Sequence, residues 1–280
     1  MKIGIVGLGL IGGSLGLDLT AQGHQVVGVS RKAQTCQRAI ARQAVRDASP
    51  DPAILGQCQV VFLCPPLGVM ESTLRAIIPY LQPATVVTDV GSVKDWVVQT
   101  LSPLWPNFVG GHPMAGTAES GIEAAQRELF VGAAYVLTPT DTTPATAVLT
   151  VEQLIQPLGV RIYHCQPQEH DLAVAWISHL PVFASASLIA ACQAEADGTV
   201  LHLAQALASS GFRDTSRVGG GNPELGLMMA RYNRPALLRS LYAYRETLDQ
   251  FIRQIEQQEW SALESHLQQT QKARPAFVKE

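Results

Sequence analysis

Short apolar runs rich in valine and isoleucine recur over the first 165 residues, separated by stretches with apolar positions three and four apart. The runs at residues 2–7, 25–30, 60–64, 85–89, 108–110, 134–138 and 161–165 predict strands. Most are continuous rather than alternating, the pattern of strands covered on both faces. Segments 12–22, 33–42, 68–80, 93–101 and 143–156 predict the intervening helices. This alternation implies an α/β unit, a doubly wound parallel sheet of the Rossmann type. After Glu169 the strand pattern stops, and 171–192, 198–209, 223–232, 235–256 and 260–272 read as helix. Turn signals near Pro167 place the boundary there, giving an N-terminal unit of 1–167 and an all-α unit of 168–280.

Composition narrows the function classes. Hydrophobic residues make up 47% and charged residues 15%, which suits a large core and an extensive subunit interface. A net charge of −3 without a block of like charges argues against nucleic acid or an anionic membrane as partner. Residues 172–192 carry no charge over about the length of a membrane helix. They include Ser178, His179, Pro181, Ser185 and Ser187, with acidic flanks and no basic cluster, so the segment reads as a helix buried on all sides. Trp176, Met228 and Met229 read as core. Five cysteines with no CxxC pair predict reduced thiols, no metal site and a cytoplasmic location.

The first strand runs straight into Gly7-Leu8-Gly9-Leu10-Ile11-Gly12, a GxGxxG that opens a helix. In that context the motif predicts a dinucleotide site. Gly7 makes the tight turn, Gly9 lets backbone approach a pyrophosphate, and Gly12 lets helix and strand pack closely. The second strand ends in Ser30-Arg31-Lys32, where a free ribose 2′-hydroxyl would call for Asp or Glu. A hydroxyl and two cations suit a 2′-phosphate, so NADP is expected over NAD. Cys64-Pro65-Pro66 ends a third strand; paired prolines turn the chain away at the carboxyl edge, where the nicotinamide end belongs.

Two further loops leave carboxyl ends of strands: Asp89-Val90-Gly91-Ser92-Val93-Lys94 and Gly110-Gly111-His112-Pro113-Met114-Ala115-Gly116. A histidine between glycines and a proline is poorly placed as core filler, and His112 is expected to point into the crevice and handle a proton. Arg213 and Arg217 would share a face if their stretch is helical. His179 lies within an apolar helix and needs a partner there. His170 and Asp171 read equally as helix-capping groups or as ligands.

The ordered set GLGLIGGSL, DVGSVK, GGHPMAG, EHD…ISHLP and GFRDTSR resembles the prephenate/arogenate dehydrogenase family of tyrosine biosynthesis, from Met1 to about Tyr232. The resemblance implies oxidative decarboxylation of a cyclohexadienol, arogenate or prephenate, with hydride passing to the nicotinamide. It implies His112 as the catalytic group receiving the ring-hydroxyl proton, and Ser92 as the serine orienting both. It implies Arg217 as the arginine that binds a substrate carboxylate, with Arg213 and His179 as further substrate-binding candidates. Val182 stands where many prephenate-using members carry a second histidine, which favours arogenate. With composition, the resemblance implies a homodimer formed through the helical half. A β-hydroxyacid dehydrogenase would draw its acid/base lysine from those helices, which have none between Lys94 and Lys272. A related reductase would leave GGHPMAG without a role. A non-catalytic NADP-sensing dimer would leave the His112 loop without one.

Overall fold

The computed structural model describes residues 1–117 and 119–278. Its N-terminal half runs β1 (Lys2–Val6), α1 (Leu10–Ala21), β2 (Gln25–Val29), α2 (Ala33–Ala41), β3 (Asp47–Ser49), β4 (Val60–Leu63), α3 (Met70–Ile77), β5 (Val86–Asp89) and α4 (Asp95–Leu101). It continues through β6 (Phe108–Pro113), β7 (Ala134–Thr138), α5 (Ala145–Ile155) and β8 (Arg161–His164). The strands form one sheet in the order β3-β2-β1-β4-β5-β6-β7-β8. Order reverses between β1 and β4, the switch point beside which α/β sheets open a ligand crevice.

The continuous apolar runs are explained by burial on both faces. Ile3, Ile5, Val60, Phe62 and Leu137 join a core with Leu15, Leu19 and Leu154. Val6, Val61, Leu63 and Val87 join a second core with Met70, Leu74, Val97 and Leu101. Full burial of each such side chain contributes about 1.5–3 kcal/mol.

The sheet departs from the expected pattern twice. β3 is a three-residue edge strand of polar sequence, too short to show a period. β7 runs antiparallel to β6, pairing Gly110 with Thr138 and His112 with Val136. That pairing extends β6 through Pro113, so His112 lies in a buried strand end rather than in a loop. Glycines make this fit: a Cβ on Gly110 would sit 2.4 Å from Thr138 Oγ1, and one on Gly111 2.7 Å from the Asp89 carbonyl oxygen.

The helical half comprises α6 (Pro167–Val174), a π-helical stretch Ala175–His179, α7 (Leu180–Gln193), α8 (Gly198–Leu207), α9 (Ser210–Ser216), α10 (Pro223–Tyr232), α11 (Arg234–Glu256) and α12 (Trp260–Ala273). From α6 through α7 the chain is one 27-residue helix, long and apolar enough to cross a membrane by length and composition. It is not buried on all sides. Val174, Ala175, His179, Leu180 and Ser185 face inward, while Trp176 is 42% and Ile177 56% exposed. Trp176 is therefore not core, and Met228 and Met229 are only partly covered. The cause is thinness: α4, α9, α10 and α11 each pack against part of this helix, and among the described residues its Trp176–Ile177 flank stays exposed.

Candidate active site

The glycine turn joins β1 to α1 at the switch point. Gly7 adopts φ +100°, and a Cβ there would lie 2.8 Å from the Cys64 carbonyl carbon. A Cβ on Gly12 would lie 2.1 Å from the Gly7 carbonyl oxygen, so close packing requires glycine. Gly9 differs, with no atom within 4 Å of its Cβ position. It is also the N-cap of α1, with no side chain capping the helix and no acidic residue in the first turn. Uncapped N–H groups at a helix N-terminus beside an open cradle fit a pyrophosphate. Leu10 and Ile11 form the first turn behind it.

Ser30 is half-buried just past β2, and Arg31 and Lys32 are exposed beyond it. Cys64, Pro65 and Pro66 leave β4 directly beside the Gly7 turn. Burial, reinforced by the nearby Asp89 charge, pushes the Cys64 thiol up, so it forms a neutral wall.

His112, 9% exposed, ends β6 on the same carboxyl edge. Its Nδ1 lies 2.8 Å from His170 Nε2, and His170 Nδ1 lies 2.8 Å from Asp171 Oδ1. The carboxylate accepts from His170 Nδ1–H, which leaves Nε2 of neutral His170 as acceptor for His112 Nδ1–H. His112 Nε2 is then the ring's lone-pair nitrogen. Burial holds the His112 proton affinity well below the usual range, and His170, Lys94 and His179 act in the same direction. The arrangement presents a neutral imidazole base of fixed tautomer.

Asp171 does more than orient His170. It reaches from the helical half to accept from the backbone N–H of Lys94 at 2.7 Å and of Asp95 at 3.0 Å, capping α4. Its own helix is capped by a Gln166–Glu169 capping box, so Asp171 caps a neighbour instead. Lys94 is fully buried, and its ammonium donates to Asp89 Oδ2 and, at 2.6 Å, to the Gly111 carbonyl. Asp89 Oδ1 accepts from Gly111 N–H at 3.0 Å and Oδ2 from Gly91 N–H at 2.7 Å. These bonds tie the Ser92 turn after β5 to the strand end that carries His112.

His179 closes the π-helical stretch, a deviation common at functional sites. Asn233, buried at the start of α11, donates from Nδ2 to the Asp171 carbonyl at 2.8 Å and to His179 Nδ1 at 3.2 Å. His179 Nε2 must therefore carry the proton, yet this buried donor has no partner among the described residues. Burial lowers the His179 pKa to about 4. A neutral donor left unpaired costs about 1–3 kcal/mol, which an acceptor on a ligand would offset.

Residues 15–164 match the family model described as prephenate dehydrogenase, nucleotide-binding domain, and residues 166–269 match prephenate dehydrogenase, dimerization domain. The chain belongs to the prephenate dehydrogenase family. It is 32% identical over 280 residues to a cyclohexadienyl dehydrogenase of Zymomonas mobilis, covering 98% of this chain and 95% of that one. It is 31% identical over 263 residues to a prephenate dehydrogenase of Bacillus subtilis, covering 90% of this chain and 67% of the relative. The structure is similar to that of Synechocystis arogenate dehydrogenase (TM-score 0.91, 55% identity, 99% and 100% of the two chains). It also shares the fold of Aquifex aeolicus prephenate dehydrogenase bound to hydroxyphenyl propionate and NAD+ (TM-score 0.93, 24% identity, 99% and 98%).

In this dehydrogenase the expected residues fall into two groups. Gly7, Gly9, Gly12, Cys64, Ser92 and His112 converge on the carboxyl edges of neighbouring strands, and His179 approaches from the helical half. Arg213 and Arg217 do not join them through any bond. Arg213, exposed midway along α9, pairs with exposed Asp214, a contact worth little. Arg217 is the C-cap of α9, exposed and without a hydrogen bond or ion pair among the described residues. Sequence reasoning missed the roles of Asp89, Lys94 and Asn233, and left those of His170 and Asp171 undecided. A signal existed for the last two: the Gln166–Glu169 box already satisfies the helix start, which frees them for other work.

Proposed function

We propose that this chain catalyses NADP-dependent oxidative decarboxylation of arogenate to tyrosine. The observation that carries the reading is the Asp171–His170–His112 chain, which leaves a neutral imidazole with a free Nε2 on the carboxyl edge of the sheet that bears the dinucleotide cradle. His112 Nε2 takes the proton of the ring hydroxyl, and Ser92, on the adjoining turn, orients that hydroxyl. Arg217 offers a fork of donors to a substrate carboxylate, and His179 Nε2–H donates to an acceptor on the substrate. Bound NADP supplies a hydride acceptor for the ring carbon bearing the hydroxyl. The ring carboxylate departs as carbon dioxide and the ring becomes aromatic, which makes the overall step strongly downhill.

Three features support the finer assignments. Arg31 and Lys32 stand free beyond β2, where they suit a 2′-phosphate. Val182, in the first turn of α7, offers no polar group to a keto-acid side chain. The 55% identity to a protein named arogenate dehydrogenase points the same way. Prephenate, giving 4-hydroxyphenylpyruvate, is the second reading, favoured by the name of the Bacillus relative.

A homodimer through the helical half is part of the proposal. Ile177, Leu203, Leu207, Leu225 and Leu227 lie exposed on α8, α10 and the long helix, and that half matches a dimerisation model. Free thiols throughout suit a cytoplasmic location.

The test is turnover of purified protein with arogenate or prephenate, each with NADP or NAD. Equal yields of tyrosine and NADPH from the arogenate–NADP pair support the assignment. Faster turnover with prephenate moves it to the second reading, and silence in all four pairings from folded, NADP-binding protein favours a sensor.

A further inference from the structure

Lys94 is a fully buried lysine to which the proposed chemistry gives no task. Its bonds form a closed circuit. The ammonium holds the Gly111 carbonyl, Gly111 leads covalently to His112, His112 meets His170, His170 meets Asp171, and Asp171 Oδ1 returns to the Lys94 backbone N–H. We propose that Lys94 is a positioning residue of the active site, closing the ring of bonds that fixes both the place and the tautomer of His112. The inference rests on the reading of His112 as the base.

Two features show why a lysine serves here. Gly111 is gripped at both ends of its residue, its N–H by Asp89 and its carbonyl by Lys94, so the strand end before His112 cannot rotate without breaking charge-assisted bonds. Asp89, the counter-ion of Lys94, also holds Gly91 N–H and hence the turn that presents Ser92. The same ammonium acts electrostatically. His112 is faced by His170, His179 and Lys94, and Lys94 by Asp89 and Asp171. Burial lowers the Lys94 pKa while Asp89 opposes that loss, and the remaining positive charge disfavours the His112 imidazolium.

The test compares Lys94→Met and the double variant Lys94→Met/Asp89→Asn with the full-length wild type, with His112→Asn in parallel. Folding is followed by thermal melting and NADP binding by fluorescence. In each folded Lys94 variant, kcat is expected to fall roughly 10- to 100-fold with KM changed less than about threefold, as for a misplaced group. The acid limb of kcat/KM is expected to move to higher pH, because a charge repelling the imidazolium is gone. A kcat within about threefold of wild type overturns the proposal. So does a loss of kcat with the acid limb unmoved, and so does unfolding of both variants, since either makes Lys94 a packing residue. If His112→Asn keeps full activity, the reading of His112 falls instead. If it is inactive while the Lys94 variants match wild type, only the role of Lys94 falls.

Discussion

His170 Nε2 lies 2.8 Å from His112 Nδ1, an edge-on contact between two rings that are 58 residues apart in sequence. It joins the helical half to β6 of the sheet and decides which nitrogen of His112 keeps its lone pair. His170→Ala is expected to lower kcat on the order of 10- to 100-fold without changing NADP affinity, because the base loses its fixed tautomer and ring orientation. Steady-state kinetics alongside NADP titration checks this.

Asp171→Asn separates orientation from stability. The carboxylate caps α4 through two backbone N–H groups and also holds His170. An amide keeps one acceptor oxygen, so a loss of about 1–3 kcal/mol is expected, together with a fall in kcat. Denaturant melts and turnover measured on the same preparation distinguish the two effects.

Three histidines at the site, His112, His170 and His179, have proton affinities lowered chiefly by burial. Above the ordinary histidine value of 6.5 both folded and unfolded states are neutral there, and stability does not depend on them. As pH falls below 6.5 the unfolded chain takes up protons that the folded one refuses, so stability falls, and the His179 share of that fall ends near pH 4, where His179 titrates. His179→Gln, neutral throughout, is expected to flatten that slope in urea melts at pH 4–6.5. An unchanged slope would show that His179 is not held neutral.

Two glycines of the cofactor turn should respond oppositely to alanine. At Gly12 the added methyl meets the Gly7 carbonyl oxygen at 2.1 Å, so Gly12→Ala is expected to destabilise the fold. At Gly9 it meets nothing within 4 Å, so Gly9→Ala is expected to melt like wild type yet bind NADP at least roughly tenfold more weakly, the methyl occupying the pyrophosphate cradle. Melting curves and NADP titrations of the pair check both halves.

Much of this site was legible in the sequence because its signals are local. Unbroken valine and isoleucine runs marked the inner strands, and glycines marked the places where backbone meets backbone. What stayed hidden depends on pairing across distance. The direction of β7 leaves no mark on its own residues, so His112 read as part of a loop when it ends a strand. Lys94 read as one more polar residue of a turn, since burial of a lysine is set by Asp89 and by the Gly111 carbonyl seventeen residues on. The exposed flank of the long helix read as buried because an uninterrupted apolar sequence cannot say which body covers it.

The central claim is that His112 removes the ring-hydroxyl proton while hydride leaves the same ring. Its most direct test is the single-turnover rate of NADPH formation from arogenate by wild type and His112→Asn at saturating NADP. A loss on the order of 10²- to 10⁴-fold with unchanged NADP affinity is expected for removal of a general base. A His112→Asn enzyme that turns over within tenfold of wild type would contradict the claim.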